Sequence, residues 1–204
     1  MIAVIDYGMG NTFSVVSAFD YLGEEVVLCS SASDLRKADK IVLPGVGAYP
    51  DCMRALEERD LIDTLNEKVV EENAPFLGIC LGMQVLATYG AESGGASGLG
   101  WLNAEVRKLQ PDHKATKIPN VGWEQVSATR ANALFSGDNL VQDFYFVHSY
   151  HMVCQEESDV TSFYMMEDKK IVSSVQRNNI FGVQFHPEKS SDNGLDLLDN
   201  FLRY

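Results

Sequence analysis

One pentapeptide constrains this chain more than any other, Gly78-Ile79-Cys80-Leu81-Gly82. It follows the apolar run Pro75-Phe76-Leu77 and precedes Gln84-Val85-Leu86-Ala87, a stretch with helical character. A nucleophilic side chain with glycine two residues to either side, between a strand and a helix, predicts a sharp turn. Such a turn holds the side chain out at the end of a sheet. Glycine is required because the turn is strained and the neighbouring backbones crowd it. The side chain here is a thiol, and a helix N-terminus behind it favours the reactive thiolate.

The surrounding pattern agrees with that placement. Ile2 to Ile5, Val26-Val27-Leu28, Ile41-Val42-Leu43 and Phe76 to Ile79 are short apolar runs that read as buried strands. Between them lie a helix over Phe13 to Leu22, ending near Gly23, and a long helical pattern over Asp51 to Glu72. Strands alternating with helices predict an α/β fold, a doubly wound and mostly parallel sheet covered on both faces. Ligands in such sheets bind beyond the carboxyl ends of the strands. Cys80, Gly8 to Asn11 and Gly45 to Gly47 all fall there.

The second half reads as further, antiparallel strands. They are expected over Trp101 to Leu109, Gly122 to Val126, Tyr145 to Val147, Thr161 to Met166, Val172 to Gln176 and Ile180 to Phe185. A closing helix is expected over Asn193 to Leu202. There is no repeat, low-complexity tract or evident linker, so residues 1–204 are expected to form a single domain.

Composition removes several functions. A formal net charge of -13 repels nucleic acid and anionic membranes, so neither is an expected partner. Met1 to Asp6 has no basic segment, and its apolar run is too short for a signal peptide or a membrane span, so a cytoplasmic location is expected. The four cysteines, Cys29, Cys52, Cys80 and Cys154, are scattered without a Cys-x-x-Cys pair. That argues against a disulfide scaffold and against a zinc site. Cys29, Cys52 and Cys154 are read as small buried hydrophobes.

Gly8-Met9-Gly10 follows a strand and opens a helix, as a dinucleotide fingerprint would, but Phe13 stands where the third glycine belongs. It is read as a turn lining a cleft or a partner surface. Gly94-Gly95-Ala96-Ser97-Gly98 follows no strand and is read as a flexible loop.

A nucleophilic thiol needs a base. His186 lies in Gly182-Val183-Gln184-Phe185-His186-Pro187-Glu188, where an apolar strand runs into it. In extended chain His186 and Glu188 project to one side, and the proline ends the strand and stiffens the pair. A histidine with a carboxylate partner can take a proton from a thiol while held in one tautomer. Pro44-Gly45-Val46-Gly47 follows the third strand, where glycine amides can face a tetrahedral oxyanion; the amide of Leu81 would be the second donor.

Pro-Gly-Val-Gly, Gly-Ile-Cys-Leu-Gly-Met-Gln and Gly-Val-Gln-Phe-His-Pro-Glu, in this order, resemble the class I (triad) glutamine amidotransferases, whose sheet is flavodoxin-like. More narrowly, Ile5 to Asn11, Pro119 to Trp123 and Tyr145 to Tyr150 resemble the glutaminase subunits of imidazole glycerol phosphate synthases. The resemblance implies that Cys80 attacks the side-chain carboxamide of glutamine, that His186 relays the proton, and that Glu188 orients it. It implies that Gly45, Val46, Gly47, Leu81, Gln84, Ser149 and Tyr150 hold the oxyanion and the substrate. Val46 and Gly47 would sit in an inactive peptide orientation until the partner binds its ligand. Asn11, Pro119, Trp123, Tyr145 and Lys189 match the face that meets a (β/α)8-barrel cyclase subunit. That barrel would receive ammonia in a heterodimer making imidazole glycerol phosphate and AICAR in histidine biosynthesis. No cofactor and no metal is implied.

Asn120-Val121-Gly122-Trp123-Glu124 departs from the usual His-Met-Gly-Trp-Asn of the resemblance. This region faces the partner, so a paralogous subunit feeding surface-sugar amidation is the alternative. A stand-alone cysteine hydrolase is a further one. His148 is read as a satisfied strand histidine or an interface contact, outside the triad.

Overall fold

A computed structural model describes residues 1–136 and 139–204. The first half alternates strand and helix: β1 (Ile2–Ile5), α1 (Thr12–Tyr21), β2 (Val26–Cys29), α2 (Ala32–Leu35), β3 (Lys40–Gly45), α3 (Tyr49–Glu57), α4 (Leu61–Leu65), β4 (Phe76–Cys80) and α5 (Leu81–Gln84). The second half is mostly strands: β5 (Tyr89–Gly90), β6 (Ala96–Ser97), β7 (Ala104–Lys108), β8 (Asn120–Ala128), β9 (Val141–His148), β10 (Tyr150–Cys154), β11 (Val160–Met166), β12 (Lys169–Arg177) and β13 (Ile180–Val183). The last helix, α6 (Ser191–Arg203), closes the chain.

Nine strands form one sheet in the order β2-β1-β3-β4-β13-β12-β11-β8-β9. The first five are mutually parallel. Their order is the 2-1-3-4-5 arrangement of flavodoxin-like folds, with β13 as the fifth strand. The remaining four run antiparallel to their neighbours. A smaller sheet, β10-β7-β5-β6, stands beside it.

Side chains alternate across the parallel strands and fill two cores. Ala3, Ile5, Ile41, Leu43 and Phe76 pack with α3, α4 and α5 through Cys52, Leu56, Leu61, Leu65 and Met83. Ile2, Val4, Val42, Leu77 and Ile79 pack on the other face with α1 and α6 through Val15, Phe19, Leu197, Leu198 and Phe201. Burial on both faces explains the apolar runs of β1, β3 and β4, whereas β2, expected to be buried, is an edge strand that leaves Val27 and Leu28 exposed.

Several expectations need correction. The helix foreseen over Asp51 to Glu72 is broken: α3 ends at Glu57, Asp60 takes a left-handed φ of 53°, and α4 leads into a π-helical turn over Asn66–Glu71. Leu56 and Leu61 are five residues apart, which in one continuous helix would splay them about 140° around the axis. The break lets both be fully buried. The loop foreseen over Gly94 to Gly98 contains β6, which pairs with β5. Pro44 and Gly45 do not follow β3 but belong to it, Gly45 lying in register with Cys80. Strands β7 and β13 are shorter than foreseen, β8, β9 and β12 are longer, β10 was not foreseen, and β13, expected among the antiparallel strands, pairs parallel with β4. Cys29 and Cys52 are buried, but Cys154 is only partly so.

Candidate active site

Cys80 ends β4 with φ 55° and ψ -106°. A residue other than glycine held in such a region costs about 1–3 kcal/mol and persists only where its surroundings impose it. The imposition is visible. A Cβ at Gly82 would overlap the carbonyl oxygen of Leu43, and one at Gly78 would overlap that of Gly82. A Cβ at Gly45 would stand 2.6 Å from the Tyr7 hydroxyl and 2.9 Å from the Leu81 Cβ. Three glycines thus let β3, β4 and the elbow approach more closely than any side chain allows.

The helix behind the thiol is a single turn, Leu81–Gln84. It carries little of the macrodipole expected of a longer helix. The thiol's other neighbours therefore matter more. His186 arrives from the end of β13, and its backbone N–H donates to the Tyr145 carbonyl of β9 at 2.9 Å. The Ser190 hydroxyl donates to the His186 carbonyl at 2.6 Å and accepts from the Tyr145 N–H at 3.0 Å. Pro187–Lys189 forms a 3₁₀ turn that brings Glu188 back under the ring. The Glu188 Oε1 lies 2.9 Å from His186 Nδ1, and both side chains are almost wholly buried. Burial opposes a charged ring, but hydrogen bonds with Cys80 and Glu188 outweigh it and lift the His186 pKa to about 10. The raised pKa favours a protonated His186 ring.

A cavity of about 270 Å³ opens onto these groups. It brings together Cys80, His186, Val46, Gly47, Leu81, Gln84, Ser149 and Tyr150, with Pro119 and Lys189 also in its wall. Gly45 and Glu188 stand behind the wall, under the elbow and under His186. Asn11 lies apart from it and caps α1, its side chain accepting from the Ser14 N–H. Trp123 and Tyr145 pair across β8 and β9, their rings 6.1 Å apart and edge to face. With Val121 and Val147 they form an exposed apolar patch, and Val147 continues it into the cavity wall. Asn120 and Glu124 lie on the opposite face of β8 from Trp123, and the Asn120 amide donates to the Tyr164 hydroxyl at 3.3 Å. Of the unusual residues of this segment, Asn120 and Glu124 therefore stay off its exposed face, and only Val121 stands on it.

His148 is a satisfied strand histidine. Its Nδ1 meets the Tyr150 carbonyl at 2.8 Å and its Nε2 meets the Tyr164 hydroxyl at 3.1 Å. Burial is the main cause that pushes its pKa down to about 4, so the ring is neutral at pH 7. It also lines the cavity.

Two residues of the site escape a reading of the motifs. Glu92 reaches the cavity from beyond β5 while its Oε2 accepts from the Tyr49 N–H at 2.8 Å. It places a carboxylate in the cavity wall, and nothing in its sequence context announces it. Gln184, fully buried, donates to the Cys80 sulfur at 3.6 Å. Its spacing of two from His186 along a strand was the signal that could have found it.

The profile of the class I glutamine amidotransferase family matches residues 3–204. The chain is 43% identical over 203 residues to imidazole glycerol phosphate synthase subunit HisH 1 of Campylobacter jejuni (strain 81-176), covering all of both chains. It is 46% identical over 202 residues to subunit HisH of Moorella thermoacetica, covering 98% of this chain and 93% of that one. Among solved structures, PurLQS from Thermotoga maritima superposes with a TM-score of 0.77 at 19% identity, covering 100% and 97% of the two chains. At that identity the likeness speaks for the fold.

Proposed function

We propose, on the premise that this chain belongs to the class I glutamine amidotransferases, that Cys80, His186 and Glu188 carry out its hydrolysis of glutamine. The chain is the glutaminase subunit of an imidazole glycerol phosphate synthase, as its full-length likeness to HisH subunits supports. The observation that carries the catalytic assignment is the strained Cys80 beside a buried histidine whose second nitrogen is held by a buried carboxylate.

In this mechanism the thiolate adds to the side-chain carboxamide carbon of glutamine. The negative charge gathers on the oxygen, facing the amides of Leu81 and of the Gly45–Gly47 segment. His186 then gives its proton to the leaving nitrogen, the C–N bond breaks and ammonia departs. A thioester remains. His186 takes a proton from water, the hydroxide adds, and the C–S bond breaks to return the thiolate and release glutamate. Glu188 keeps the imidazole in one tautomer throughout. Glu92 pairs with the substrate ammonium group.

The single domain 1–204 docks a (β/α)8-barrel cyclase in a heterodimer through Trp123, Tyr145, Pro119, Lys189 and Asn11. Continuity of the exposed apolar patch with the cavity wall supports passage of ammonia on that side. The test is glutamate release with and without the cognate cyclase. Weak hydrolysis alone, strong stimulation by the cyclase with its ligand, and none from Cys80→Ala are expected. Full activity without a partner would instead favour a stand-alone hydrolase. Failure to complement a histidine auxotroph with the cyclase present would overturn the pathway and favour sugar amidation.

A further inference from the structure

We infer that Gln184 is a further catalytic residue, its side-chain NH2 stabilising the Cys80 thiolate from beneath the elbow. This rests on Cys80 being the nucleophile. Gln184 is fully buried and does not line the substrate cavity. It lies 3.6 Å from the sulfur, within the range of an N–H···S hydrogen bond.

The amide orientation follows from neighbours whose roles are fixed. A backbone carbonyl can only accept, so the Tyr150 carbonyl takes hydrogens from both of its partners. One is His148 Nδ1 at 2.8 Å, which sets the tautomer of that neutral ring. The other is the Gln84 side-chain NH2 at 3.0 Å. That same NH2 donates to the Gln184 Oε1 at 3.0 Å. With its oxygen engaged there, Gln184 must turn its NH2 toward the sulfur. Tyr164 donates to His148 Nε2 at 3.1 Å and accepts from Asn120 at 3.3 Å, so each link of the chain has one direction. The network ends in a donor aimed at the one atom of the site that becomes an anion.

Hydrogen bonds to charged groups outweigh those to neutral ones, and here the charged form is the thiolate. A buried donor at this point matters because the single-turn α5 offers little macrodipole. The test is the pH profile of iodoacetamide alkylation at Cys80, followed on the Cys80 peptide by mass spectrometry. The full chain is used without glutamine or cyclase. Gln184→Met keeps the volume and removes the donor; Gln184→Glu keeps the shape and places a carboxylate against the sulfur. Relative to wild type, Q184M should alkylate about ten-fold more slowly at pH 7, with its profile moved about one pH unit higher. Q184E should be slower still. Should Q184M fail to fold, Q184E carries the test, and Gln84→Leu, which frees the Gln184 amide to rotate, should slow alkylation partway. Variants with native melting temperatures and a wild-type alkylation profile would overturn the inference, since packing alone would move only stability. A wild-type Cys80 that reacts no faster at pH 7 than Cys154 would instead overturn the nucleophile assignment, and this inference with it.

Discussion

Gly45→Ala tests whether close approach of backbones, rather than any side chain, sets the geometry of the elbow. Gly45 lacks a left-handed φ, so alanine there brings no backbone strain and the effect is steric. Its methyl would stand 2.6 Å from the Tyr7 hydroxyl, 2.9 Å from the Leu81 Cβ and 3.1 Å from the Gly82 nitrogen. Ordinary contact needs about 3.5 Å, so β3 and the elbow must separate by roughly half an ångström or more. Tyr7 is 1% exposed and cannot swing aside. Overpacking of this kind costs about 1–3 kcal/mol of stability. Because Gly45 pairs with Cys80 and touches Leu81, the displacement falls on the thiol and on Leu81, the proposed oxyanion donor. A misplacement of about 1 Å can cost 10²-fold, so a loss of about 10- to 100-fold in kcat is expected. Gly182→Ala is the matched comparison on β13. Its methyl would meet only side-chain atoms, Met83 Cγ at 2.7 Å, Val175 Cγ2 at 3.0 Å and Leu86 Cδ1 at 3.1 Å. Those can yield, so G182A should lose stability with kcat within a few-fold of wild type. Urea unfolding and steady-state glutamate release, both with the cyclase saturating, separate the two. If G45A keeps its kcat, or if G182A loses as much, close approach at β3 does not position the chemistry.

Two further outcomes follow from the site. The folded His186 pKa of about 10 lies above its usual 6.5, so its contribution to stability is full below pH 6.5 and lost as pH rises through about 10. Cys80→Ala removes one of the two hydrogen bonds that raise it, so the upper end of that window should move to lower pH. Urea midpoints at pH 6, 8 and 10 check this, and an identical pH dependence in the two proteins would refute it. Trp123→Ala removes the largest exposed apolar side chain of the β8–β9 patch, which is 52% exposed. Loss of such an anchor costs about 2 kcal/mol, or roughly 30-fold in Kd for the cyclase by calorimetry. A change below two-fold would remove this face from the interface.

The parallel half of the fold was legible because its inner strands are buried on both faces, while the edge strand β2 is not. Ile2 to Ile5 and Phe76 to Ile79 read as apolar runs for that reason. The antiparallel half was legible only in outline. Strand β8 is exposed at every other residue from Val121 to Gln125, so its apolar signal is thin and its ends were set too short. The break at Asp60 was hidden because helical periodicity survives on either side of it.

Local sequence determined the elbow. Glycines two residues to either side of a cysteine, between a strand and a helix, admit few structures, because the strained turn needs both of them. The spacing of His186 and Glu188 likewise brought base and carboxylate to one side, although a 3₁₀ turn rather than extended chain joins them. Only the tertiary structure decided what surrounds the sulfur. Gln84, Tyr150, His148, Tyr164 and Gln184 come from a helix turn, three strands and the segment just past β13, and tertiary packing alone brings their hydrogen bonds together. No local pattern encodes that meeting. A hydrogen bond acts over about 3 Å, whereas these partners lie up to 104 residues apart in the chain.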